Sequence, residues 1–115
     1  MQGFNFIFFA IVAMLTAGVI AEKTRFNIAS KYKVTKNGKP EEQRNTINYE
    51  KEGIVNIDNY VKNFNSWSGG AFNCKKSAAT GIYIVTATKV YDNKDKSTAA
   101  NNDAKKVIND HASDK

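Results

Sequence analysis

No charged side chain occurs before Glu22, and the chain's single leucine, Leu15, lies in that uncharged stretch. The 17 basic and 11 acidic residues therefore all fall within the 94 residues from Glu22 onwards, which carry the whole net charge of +6. Those 94 residues draw their large apolar side chains from isoleucine and valine, 13 together, and from nine aromatics. Side chains branched at Cβ and aromatic rings suit a pleated, half-buried surface, so the core must lean towards sheet. A domain of this size buries only about 60–65% of its unfolded surface, which keeps its stability modest. A multidomain enzyme and a multi-span membrane protein are excluded by length, and a disulfide-framed knot by the single cysteine.

The uncharged run from Phe4 to Ala21 ends in Val19-Ile20-Ala21, followed by the charged Glu22-Lys23. Small residues at the third and first positions before a cut are what signal peptidase accommodates, so the pattern predicts a signal peptide over 1–21 cleaved between Ala21 and Glu22. A retained membrane anchor is the other reading, since 18 residues is the lower limit of the roughly 20 that span a bilayer. Cleavage leaves no stable membrane anchor. The first five residues contain no lysine or arginine, which favours a eukaryotic secretory signal. None of the 14 asparagines is followed two positions later by Ser or Thr, so no N-glycosylation sequon exists.

Past the leader, Phe26, Ile28, Ser30, Tyr32 and Val34 alternate with Arg25, Lys31 and Lys33, which predicts a half-buried strand with a basic outer face. Asn37-Gly38 then signals a hairpin, because both central residues of a type I′ turn need positive φ. The return strand is expected to become regular over Asn45–Tyr49, since Pro40 cannot donate to a ladder. Ile54, Ile57, Tyr60, Val61 and Phe64 form a stripe at helical spacing, predicting a helix over 54–65 with Glu50 and Glu52 just ahead of it. Ser66 to Gly70 suggests a loop holding the lone Trp67, a short strand is expected near Ala71–Lys75, and Gly81–Tyr91 is the strongest strand. Ala100, Ala104, Val107 and Ile108 suggest a short helix capped near Ser97 or Thr98, ahead of a frayed tail at 111–115. The expected fold is α+β: a small antiparallel sheet with one packed helix and a short C-terminal helix. The corresponding division is 1–21 signal peptide, 22–97 α+β domain, and 98–115 C-terminal helix and tail.

Chemistry is sparse. His111 is the one histidine, and no phosphate loop, nucleophile elbow or metal-ligand cluster occurs, so no catalytic residue, metal ligand or cofactor is assigned. Glu50 and Glu52 suit a solvated pair better than an acid–base pair. Cys74, between Asn73 and Lys75-Lys76, is either a thiol activated by neighbouring charge or a small residue packed beside a strand. A monomer is expected, with a Cys74-linked dimer as the alternative use of an unpaired cysteine in a secreted chain.

Charge is uneven. Residues 22–39 hold six basic groups and one acid, whereas residues 92–115 balance five lysines against five aspartates. Arg25, Lys31, Lys33, Lys36 and Lys39, together with Trp67, are the candidate partner-binding residues. The patch suits an acidic protein, a phosphate backbone or an anionic surface, and equally suits an edge strand blunted by lysine. Only two arginines are present, which disfavours bidentate reading of nucleic acid.

A leader ending VIA before EK, fewer than 100 residues beyond it, and no catalytic or metal motif resemble the small secreted effector candidates of plant-pathogenic fungi. Within that class, the ribonuclease-like effectors of powdery mildews carry a sheet with a packed helix and an aromatic-x-Cys motif. Here Phe26-Asn27-Ile28 has isoleucine in place of that cysteine. Small β-sandwich effectors of the rice blast type also carry a cysteine pair. The resemblance implies a secreted, non-enzymatic protein that binds a host component, with a host protein as the expected partner and the host cytosol as a further destination. A ribonuclease-like binder of RNA or weak nuclease, and an extracellular inhibitor or colonisation factor, are the alternatives. Strand addition at the 25–35 segment is one expected mode of docking.

Overall fold

The computed structural model of the protein describes residues 22–115; the signal peptide expected over 1–21, with Ala21 of the expected cleavage site, lies outside the described residues. Strand β1 runs Lys23–Lys36 and strand β2 runs Lys39–Glu52. They form a long antiparallel hairpin whose register sets Ile28 opposite Ile47 and Phe26 opposite Tyr49. The turn is the expected one, with Asn37 at φ 51° and Gly38 at φ 76°. Strand β2 starts at once after the turn, not at Asn45. It tolerates Pro40 because it lies at the edge of the sheet, where a missing donor disrupts no second ladder.

Helix α1 (Asp58–Trp67) follows, then strand β3 (Phe72–Lys76), strand β4 (Tyr83–Tyr91) and helix α2 (Lys94–Asp110). The sheet order is β2-β1-β4-β3. An α+β fold was expected and is found, but the sheet is mixed. Strands β1 and β4 run parallel, while both outer pairs are antiparallel. The cause is the α1 crossover, which returns the chain so that β3 runs in the direction of β2, and β4 therefore in that of β1. Periodicity reports which residues share a face, not which strands become neighbours.

Both helices pack on one face of the sheet. Phe26 and Ile28 of β1, Phe72 and Cys74 of β3, and Tyr83 and Val85 of β4 meet Tyr60 and Phe64 of α1 and Ala100, Ala104 and Ile108 of α2. Burying each large side chain contributes about 1.5–3 kcal/mol, so the Phe–Tyr cluster dominates the core. On α1 the buried stripe is Tyr60, Phe64 and, partly, Trp67, at i, i+4 and i+7. Val61 points outward at 43% exposure, and Ile54 precedes the helix. Glu50 and Glu52 belong to β2, opposite Arg25 and Lys23, instead of leading into α1.

Helix α2 is longer than expected. It spans 17 residues and begins at Lys94, where the Asn93 side chain accepts a hydrogen bond from the Lys96 amide at 2.9 Å. The run Asp92 to Lys96 resembles a loop in sequence because four of its five residues are charged, yet Asn93 caps a helix there and Lys94 to Lys96 begin its solvated first turn. The tail is also held. The Val55 amide donates to the Ala112 carbonyl at 2.9 Å, and Asn59 Nδ2 donates to the Lys115 carbonyl at 3.3 Å.

Candidate binding face

With both helices on one side, the alternation of the strands sends a second set of side chains to an uncovered face. Arg25, Lys31 and Lys33 of β1, Arg44, Thr46, Asn48 and Glu50 of β2, Lys75 of β3 and Thr86 of β4 are all exposed. The tyrosines and phenylalanines of the strands have the other parity and point towards the helices. Tyr49 donates from its hydroxyl to Asn109 Oδ1 at 2.6 Å, which binds β2 to α2.

The basic residues singled out in the sequence divide into two groups. Arg25 Nε lies 3.4 Å from Glu50 Oε1, Lys33 Nζ 3.8 Å from Asp92 Oδ1, and Lys36 Nζ 3.8 Å from Glu41 Oε2. These pairs are solvent-exposed and contribute about 0–1 kcal/mol each, but they reduce the free positive field. Lys31 and Lys39 have no carboxylate partner among the described residues. Trp67 is not part of this face. It ends α1 in the helical layer, stacked on His111 and edge-on to Tyr60. The structure thus sets three of the six candidates, Arg25, Lys31 and Lys33, on this face, places Lys36 and Lys39 beside the turn with the opposite parity, and separates the tryptophan from all of them.

Three further residues join Lys31. The hairpin register puts Arg44 directly opposite it, and Arg44 has no carboxylate partner among the described residues. Counting outward from the Asn37-Gly38 turn reaches this pairing from sequence alone. Lys89 and Thr86 come from β4 and carry no sequence signal for their placement, because they depend on an irregularity in the ladder. Ala29 pairs with Thr86, but Lys31 pairs with Val90, so β4 spends four positions where β1 spends two. Over that stretch β4 is tied to the other side: the Thr88 amide donates to the Ala71 carbonyl at 2.8 Å, and its hydroxyl to the Gly70 carbonyl at 2.7 Å. The strands part and leave a hollow of about 440 Å³ bordered by Lys31, Glu42, Arg44, Thr86 and Lys89. Ala29 also lines it, and its side chain is too short to fill it.

The 25–35 segment cannot take strand addition along most of its length. Between Phe26 and Tyr32, β1 is paired on both sides. The long free edge is β2, and the other edge is the five-residue β3.

Cys74 is 7% exposed, facing the core. Burial pushes its thiol from the ordinary 9.0 up to about 12, so Lys75 and Lys76 do not activate it. A disulfide to a second copy would first require this buried side chain to become exposed. Burial, with a smaller contribution from the Asp114 charge, likewise pushes the Tyr60 phenol up to about 12. His111 Nδ1 lies 2.5 Å from Asp114 Oδ2 beside the Trp67 ring, away from the open face. Among the described residues, no three His, Cys, Asp or Glu side chains gather closely enough to hold a metal ion, and no helix is long and apolar enough to cross a membrane. The chain matches no protein-family model, no curated protein and no solved structure.

Proposed function

We propose that the protein works by binding, presenting the uncovered face of its sheet to an acidic surface of a host protein, in the manner of a secreted effector. One observation carries this reading. The main apolar cluster and both helices lie on one side of the sheet, leaving an uncovered, largely polar face on which Lys31 and Arg44 stand opposite each other, neither in an ion pair among the described residues. Surplus positive charge on a flat face steers and orients an acidic partner. In the same reading, the basic residues at the turn, Lys36 and Lys39, form the rim of that surface, and Arg25 and Lys33 exchange their intramolecular carboxylates for the partner's.

RNA is the less favoured partner. Single-stranded recognition relies on aromatic rings on which bases stack, and the uncovered face has none among its exposed strand residues. Glu50, which a nuclease reading would use, is held by Arg25 and Lys23.

Affinity capture from host extract, before and after ribonuclease treatment, tests the proposal. A discrete acidic protein retained after ribonuclease is the expected result. Retention lost on ribonuclease treatment, with a steep fall in binding as salt rises, would transfer the function to RNA.

A further inference from the structure

We infer that two copies of this chain pair edge to edge through β2, antiparallel about a two-fold axis at Ile47, so that their sheets join into one. Edge strands are ordinarily kept short, bulged, or interrupted by proline or inward-pointing charge, because a free edge invites another strand. Strand β2 is instead 14 residues long and in unbroken register with β1, with Pro40 confined to its turn end. The other edge, β3, is protected by being only five residues long.

The turn determines which backbone groups of β2 are free. In a two-residue hairpin the flanking residues, here Lys36 and Lys39, form a hydrogen-bonded pair, and such pairs recur at every second position. The odd-numbered residues of β2 therefore bond to β1. The amides and carbonyls of Glu42, Arg44, Thr46, Asn48, Glu50 and Glu52 point the other way, and among the described residues no further strand meets them. A second β2 laid antiparallel satisfies them when even-numbered residues face even-numbered residues, which keeps the open faces of the two sheets on one side.

Charge selects the register. Arg44 and Glu50 bracket five uncharged residues, Asn45–Tyr49, with Ile47 at the centre. A run that is positive at one end and negative at the other complements itself when reversed. With the axis at Ile47, Arg44 of each copy stands opposite Glu50 of the second copy on the open face, and opposite charges facing each other across strands stabilise a pair. The contact is isologous, so each such pair occurs twice. Arg44 Nε donates to Thr46 Oγ1 at 3.3 Å, and the guanidinium has no carboxylate among the described residues. Glu50 already meets Arg25 at 3.4 Å and Lys23 at 3.9 Å, so it becomes the bridge between copies. Like charges, Glu42 and Glu52, meet only at the ends, where Lys23 lies 3.8 Å from Glu52. A register two residues earlier sets Glu42 against Glu50 and draws Pro40, which has no donor, into the ladder. One two residues later exchanges Glu50 for Glu52 and shortens the ladder. This pairing goes beyond the protein-binding reading: it joins two open faces into one surface and leaves Lys31 unpaired on each.

The test combines sedimentation equilibrium at fixed salt with amide exchange of the 15N-labelled protein at low and high concentration. A dimer is expected, and in it the amides of Arg44, Thr46, Asn48 and Glu50 should exchange at least about tenfold more slowly than in the dilute protein. Arg44→Glu and Glu50→Arg should each weaken association by at least about tenfold, and the double exchange should restore it to within about threefold of the original. Lys75→Glu, which alters net charge as Arg44→Glu does but lies on β3, should change it less than about twofold. A monomer at about 1 mM would overturn the inference, since even weak specific interfaces associate by then. So would a dimer in which those amides exchange as fast as before, or a double exchange that restores nothing. The exchange measurement decides on the unaltered protein even if Glu50→Arg, opposite Arg25, disturbs the fold. A monomer that still captures an acidic host protein would remove this inference and leave the binding proposal intact.

Discussion

Trp67 and His111 stack face to face, with ring centroids 3.8 Å apart and planes 5° from parallel. The first closes α1 and the second follows α2, so the stack joins the ends of the two helices. Tyr60 extends it, meeting Trp67 edge-on at 5.3 Å and donating from its hydroxyl to the Ile108 carbonyl at 2.6 Å. The contact explains why a tail expected to fray is instead ordered.

Replacing His111 with alanine should therefore destabilise the fold by about 1 kcal/mol, the range of a well-placed aromatic pair. For a domain of this size that lowers Tm by roughly 4–8 °C. Thermal unfolding followed by the fluorescence of Trp67, the sole tryptophan, reads both the loss and the change of environment. An unaltered Tm and emission would mean that the stack contributes nothing.

Cys74 should resist modification in the folded state. With its thiol pushed up to about 12, almost no thiolate exists at pH 8. A thiol reagent should label the native protein only at the rate of opening, and the denatured protein at once. Rapid labelling without denaturant would contradict the buried position.

Stability should decline under alkaline conditions, and the sign follows from the same shift. The folded state keeps the Cys74 proton up to about 12, whereas the unfolded chain releases it from about 9.0. The stabilisation is complete below pH 9 and is lost as pH rises towards 12. Tyr60 adds a second loss over pH 10 to 12, again because folding raises its value. Denaturant midpoints measured from pH 8 to 11 should fall, and in Cys74→Ala the fall should begin about one pH unit later. A decline with the same onset in both proteins would assign it elsewhere.

Ser30 and Ser97 share a buried hydroxyl contact between β1 and α2, and Asn101 Nδ2 donates nearby to the Asn45 carbonyl at 3.1 Å. Ser30→Ala should cost about 1–2 kcal/mol because it leaves a buried hydroxyl without its partner. Adding Ser97→Ala should cost less than the sum of the two single changes. Urea denaturation of the single and double variants measures the coupling, and strict additivity would show that the hydroxyls do not depend on each other.

Much of this fold is legible in the chain because local rules determine it. The Asn37-Gly38 turn requires two positive φ angles, and the Phe26, Ile28, Ser30 alternation has a period of two. Tyr60 and Phe64, like Ala100, Ala104 and Ile108, repeat at helical spacing. What stayed hidden depends on contacts between distant segments. Nothing local says that β4 returns beside β1, nor that β4 spends extra residues over 86–90. The hollow arises from that mismatch, so Thr86 and Lys89 could not be assigned to it. Arg44 could have been, by extending the register from the turn. Trp67 carries no local sign that it ends a helix and not a loop, because its stacking partner is His111, 44 positions away.

Two double charge reversals test the proposed capture of an acidic host protein most directly. Lys31→Glu with Arg44→Glu changes the open face, while Lys62→Glu with Lys106→Glu changes net charge equally on the exposed helical layer. Binding measured by surface plasmon resonance at fixed salt should fall by at least about tenfold for the first pair and stay within about twofold for the second. Equal losses in both would mean that net charge alone, and not this face of the sheet, holds the partner.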